Sequence, residues 1–141
     1  VQVSMPWQQL PSQLGTILKH RIHVELGFSA VDLDRTSRAE LQTAAGELRQ
    51  AGCRITVHAP FWDLATGSLD PLVRQVARFR LQQLFDIVGL LEPAPVVCHT
   101  GFGPGHHRGP LELWIDRSVE TWESRRYELE PEMTIRYCFR S

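Results

Sequence analysis

Two histidines close short apolar runs, and the residue types around them set the chemistry on offer. Ile55-Thr56-Val57 leads into His58, and Val96-Val97-Cys98 leads into His99. The first is followed by Ala59-Pro60-Phe61-Trp62-Asp63 and the second by Thr100-Gly101-Phe102. Neutral imidazole is a ligand for zinc, manganese or iron, and a carboxylate completes a mixed site. His58 and His99 therefore either contact a metal or substrate, or hydrogen-bond to hold their own loops. His106-His107, inside a glycine-rich stretch, reads as exposed loop, and His20 and His23 as surface or packing residues.

The acidic candidates differ in kind. Glu25 lies within Ile22-His-Val-Glu-Leu26, whose alternation puts His23 and Glu25 on the face opposite Ile22, Val24 and Leu26. A carboxylate inside a strand of a buried sheet needs a partner, either as acid/base or as half of an ion pair. Asp63 can orient a histidine or bind Arg74 or Arg80, a supporting role behind the reacting groups. Asp70, directly before Pro71, reads as a helix cap. Phe61, Trp62 and Phe102 form either an apolar wall over a substrate ring or ordinary core packing.

The elements that must position these groups can be read from pattern. Val1–Met5 alternates weakly as a first strand, and Pro11-Ser12 opens a short helix with Leu14, Ile17 and Leu18 on one face. The second strand is Ile22–Leu26. Ser37 and Glu40 make a capping box for a helix carrying Leu41, Ala44, Ala45 and Leu48, and Gly52 ends it. The third strand is Arg54–His58. From Pro71 onwards Leu72, Val76, Phe79, Leu84, Val88 and Leu91 make one apolar stripe, stopped by Pro93 and Pro95. The fourth strand, Val96–His99, is short and apolar, as a strand buried on both faces reads. Pro110 opens a last helix, with Leu111, Ile115 and Val119 beside Trp114 and Trp122.

Strands alternating with helices predict an α/β fold with a parallel sheet. In such folds the sites sit at the carboxyl ends of the strands, where Glu25, His58, His99 and the loop pair His106-His107 fall. After residue 123 the pattern breaks. Met133–Arg140 alternates as a half-exposed strand, and a hairpin about Glu130-Pro131-Glu132, with Tyr127 and Leu129, is an equal reading.

Composition narrows the partners. The 141 residues carry a formal net charge of −1, with 43% hydrophobic and 22% charged residues, the profile of one globular domain with a real core. Fifteen basic against 16 acidic residues give no field for nucleic acid or an anionic membrane. No run approaches the ~18 apolar residues of a membrane span. Three cysteines, Cys53, Cys98 and Cys138, in no paired spacing, predict a reducing compartment and hence the cytoplasm. Gly101, Gly103 and Gly105 are not followed by the GK[ST] of a phosphate loop, and no GxSxG or catalytic cysteine signature is present.

In their order and spacing, Ile22-His-Val-Glu-Leu26, His58-Ala-Pro-Phe61 and His99-Thr-Gly101 resemble the xylose isomerase-like TIM-barrel superfamily. That superfamily includes sugar phosphate isomerases and epimerases and endonuclease IV-like enzymes, and usually has His-Pro-Gly at the third motif. The resemblance implies a (β/α)8 barrel with a divalent metal (Zn, Mn or Fe) at its mouth. It implies proton transfer beside the carbonyl of a sugar or sugar phosphate, or alternatively metal-assisted phosphodiester hydrolysis. In nuclease-like members the histidines matching His58 and His99 are metal ligands; in single-metal isomerases they contact substrate or shape the site. Glu25 and His58 are then the catalytic candidates, and Phe61, Trp62, Asp63 and Phe102 the substrate-binding ones.

A full barrel takes ~250 residues. Residues 1–123 read as its N-terminal half, a partial (β/α) barrel of four βα units, and 124–141 as a divergent tail. Where the family's fifth strand ends in a ligand glutamate, Met133–Ser141 has no carboxylate. A half-barrel leaves raw strand edges, and the expected remedy is a homodimer with the tail strand over one edge. A non-catalytic half-barrel serving as a binding module is the competing expectation.

Overall fold

The computed structural model describes residues 2–103, 107, 109–123 and the backbone of 134–138. The first strand, β1 (Gln2–Pro6), runs through a 3-10 turn into α1 (Leu10–His20). Then follow β2 (His23–Gly27), α2 (Ala30–Arg35), α3 (Arg38–Gln50) and β3 (Ile55–His58). The long helix α4 (Pro71–Val88), β4 (Pro95–His99), α5 (Leu111–Glu123) and β5 (Thr134–Cys138) complete the order. All five strands are parallel and lie in sequence order, β1-β2-β3-β4-β5. Strands in sequence order joined by helices are the curl of a (β/α) barrel carried half-way round.

Local sequence explains the helix starts. Ser37 accepts from the Glu40 N–H while the Glu40 carboxylate accepts from the Ser37 N–H, the expected capping box. The Ser37 N–H, and after it the Ser37 hydroxyl that also donates to the carboxylate, hold the Glu40 carboxyl below its usual range. Gly52 takes a positive φ of 73° after α3, and the Cys53 N–H returns to the Leu48 carbonyl. Asp70 caps α4 by accepting the Leu72 N–H, with Pro71 in the first turn. The short α2 was not expected. It carries its own capping box, Ser29 with Asp32, a signal present in the sequence as S-x-x-D.

The core lies between the sheet and its helices. Val24, Leu26, Ile55, Val57, Val96 and Cys98 are buried together with Leu41, Ala45 and Leu48 of α3 and Leu81, Leu84 and Val88 of α4. The alternate strand positions point the other way. Ser4, Glu25, His58, Val97 and His99 remain partly or largely exposed on that face. The doubly buried character expected of Val96–His99 is thus replaced by alternation, because the barrel's facing half is not part of the described residues.

The stripe along α4 divides. Leu84 and Val88 enter the core as expected, but Leu72, Val76 and Phe79 are exposed, and Ala77, Leu81 and Phe85 take the buried arc. On α5 the buried residues are Trp114, Ser118 and Thr121, while Leu111, Ile115 and Val119 face outward. Each helix has apolar residues on more than one face, and one arc is buried: that of α4 in the core, that of α5 against Thr66, Gly67 and Phe102. The tail places β5 parallel to β4, with Val97 opposite Arg136 and His99 opposite Cys138 in backbone register. The hairpin about Glu130-Pro131-Glu132 falls outside the described residues. Among the described residues no helix is long and apolar enough to cross a membrane.

Candidate active site

Four consecutive strands each contribute one side chain to a hydrogen-bonded row. Ser4 Oγ on β1 donates to Glu25 Oε1 on β2 at 3.1 Å. His58 Nδ1, at the end of β3, lies 3.1 Å from the same Glu25 oxygen. His58 Nε2 lies 2.7 Å from His99 Nε2 at the end of β4, with the two rings nearly parallel at 14°. Register explains the row. Ser4 pairs with Glu25, Glu25 with Thr56 and His58 with Val97, so each histidine stands two residues beyond its neighbour's pairing partner, on the same face.

The row also selects a tautomer. Glu25 accepts only, so His58 presents Nδ1–H to it and turns a bare Nε2 towards His99; this tautomer follows from the partners. His99 then supplies Nε2–H. Glu25 and His58 are both partly shielded, at 26% and 21% side-chain exposure. Glu25 thereby gains the partner that a carboxylate within a strand requires. Ser4 is the member that sequence reasoning missed: it sits on an exposed edge strand, where alternation is weak.

The loop after β3 supplies an aromatic cover. Phe61 lies 4.5 Å from His99 and 5.3 Å from His58, centroid to centroid, and Trp62 stacks on Phe61 at 5.0 Å. Trp62 is 77% exposed. Beside them is a cleft of about 380 Å³ lined by His58, Phe61, Trp62, Ser4, Phe28 and Asp32. A larger cavity, about 740 Å³, lies among α1, α2 and α3, and no histidine lines it. Of these two, the strand-end cleft is the one lined by a histidine of the row.

The other candidates fall elsewhere. Phe102 packs edge-on against Trp114 at 4.9 Å and near His107 at 5.9 Å. Asp63 occupies a left-handed φ of 59° in the loop. The two arginines expected near it are engaged otherwise: Arg80 donates to Asp34 at 2.5 Å, and Arg74 to the Ser68 and Leu69 carbonyls. Asp70 is the helix cap. His107 bonds the Pro110 carbonyl, and His106 lies outside the described residues.

The fit to a metal can be tested on the donors themselves. Two imidazole nitrogens converge, and one ring is backed by a carboxylate, the usual support behind a ligating histidine. Among the described residues, however, no group of three potential ligands gathers. The chain thus offers two donors, and any further ligands must come from outside the described residues.

The fold defines half of a (β/α) barrel. Solved structures share that half-barrel fold. The TTHB071 protein from Thermus thermophilus, in crystals soaked with ZnCl2, superimposes with a TM-score of 0.67 at 24% identity, over 90% of this chain and 49% of that one. D-psicose 3-epimerase in the presence of D-fructose gives 0.73 at 16%, over 98% and 50%. SacUVDE gives 0.62 at 15%, over 89% and 46%. The chain spans about half the length of these proteins. No protein-family model matches the sequence, and no curated protein is significantly similar to it.

Proposed function

We propose that the chain supplies one half of a metal-dependent sugar isomerase or epimerase site, completed by a second copy. The observation that carries this is the convergence of His58 Nε2 and His99 Nε2, with Glu25 behind His58. His58 and His99 would hold a divalent ion (Zn, Mn or Fe), the hydrogen bond between them opening and the Nε2 proton of His99 leaving to solvent as the ion binds. When bound, such an ion would stabilise charge on a carbonyl oxygen while the proton of the neighbouring carbon passes to a base in the completed site. Glu25 keeps the proton of His58 on Nδ1 and so leaves Nε2 able to bind. Phe61 shields the pair from water, and the exposed Trp62 offers a flat face to the C–H side of a sugar or sugar phosphate. A structural neighbour named as a sugar epimerase supports this choice of substrate class.

The test is proton exchange. The chain, with Mn²⁺ or Zn²⁺, is incubated in D2O with ketohexoses and their phosphates. The expected result is deuterium at the carbon beside the carbonyl, lost in His58→Gln. Absence of exchange with every metal and sugar contradicts the proposal.

A further inference from the structure

The loop between β3 and α4 runs from residue 59 to 70 with no regular structure, and a loop of that length needs its own anchors. Its first part carries Phe61 and Trp62. Its second part is bolted down by Thr66, which is 2% exposed. Thr66 Oγ1 donates to the Thr100 carbonyl at 2.9 Å. Its one proton being used there, it accepts from Ser118 Oγ of α5 at 3.2 Å. The Thr66 carbonyl in turn accepts from Thr121 Oγ1 at 3.1 Å, and Arg78 Nε donates to that hydroxyl at 3.3 Å.

Packing around the bolt leaves no slack. A Cβ on Gly67 would collide with the Trp114 carbonyl and Ser118 Oγ. A Cβ on Gly101, which also needs a positive φ of 72°, would collide with the Leu64 carbonyl. Thr66, Ser118 and Thr121 are all buried where apolar side chains would fill the same space with no polar groups to satisfy. A fully bonded hydroxyl network fixes one arrangement rather than many. What it fixes here is the offset between the loop bearing Phe61 and the peptide that follows His99.

We propose that Thr66 is a positioning residue: its buried hydroxyl ties the aromatic loop to the His99–Thr100 strand end and to α5, and so sets Phe61 against the His58–His99 pair. The importance of that placement rests on the proposed function, but the placement itself does not, and the test uses neither metal nor sugar. In ¹H–¹⁵N spectra of the histidine rings in the full chain, Thr66→Val removes the hydroxyl at nearly constant volume. The expected result is displaced ring resonances for His58 and His99 with His20 and His23 unmoved, and restoration of the native positions in Thr66→Ser. Should Thr66→Val fail to fold, Thr66→Cys takes its place with the same expectation. Native His58 and His99 resonances in a folded variant lacking the hydroxyl overturn the proposal. Failure of both variants to fold overturns it too, since Thr66 would then serve folding rather than position.

Discussion

His58 and His99 face each other through their Nε2 atoms at 2.7 Å, although 41 residues separate them in the chain. Such a contact needs one nitrogen with a proton and one without. Glu25, at Nδ1 of His58, decides which is which. The pair is thus a preset arrangement rather than two histidines that happen to meet.

Replacing Glu25 by Gln keeps size and shape but lets the side-chain amide donate towards His58. On the proposed function, zinc affinity falls by about 10- to 100-fold, the usual effect of losing the carboxylate behind a ligating histidine. Isothermal titration with ZnCl2 reads this directly; unchanged affinity would remove Glu25 from the site.

Helix α4 offers a paired test of packing. Leu84 is fully buried and Val76 half exposed. Leu84→Ala is expected to cost about 2–5 kcal/mol in urea unfolding. Val76→Ala should stay within about 0.5 kcal/mol. Similar costs for the two would mean that the exposed stripe is covered in solution.

Burial pushes the Cys98 thiol up to about 12. The folded state therefore favours the protonated form, and this contribution is fully present below the ordinary thiol value. It is lost as pH rises from about 9 towards about 12. Native Cys98 should react with a thiol reagent at pH 8 only through unfolding, and Cys98→Ala should flatten the fall in stability at high pH. Rapid labelling of Cys98 in folded protein would contradict this.

β1 and β5 lie at the two ends of the sheet, and the strand face that carries Glu25 and both histidines is partly exposed. Pairing of two half-barrels would cover both edges and face. Light scattering of the purified chain is expected to give a dimer mass, and a monodisperse monomer would refute the pairing.

Much of this was legible because single residues carried it. A histidine closing an apolar run marks a strand end, which placed His58 and His99; strict alternation placed Glu25 on their face. Ser37, Gly52, Asp70 and Pro71 announced helix ends through local hydrogen bonds and backbone preference alone. What was not legible depends on partners distant in sequence. Leu72, Val76 and Phe79 are as apolar as Leu81, Leu84 and Val88, and only docking on the sheet decides which arc is buried. Ser4 joins the site because β1 pairs with β2 in one register. Thr66 looks like any loop threonine until the loop folds back on α5.

On the proposed function His58 and His99 share a metal. Crystals of the chain soaked in ZnCl2 and measured at the zinc edge test it most directly. The expected result is an anomalous peak bonded to His58 Nε2 and His99 Nε2, absent from the His58→Gln, His99→Gln double variant. Two histidines still in direct contact with no density between them, at saturating zinc, would contradict it.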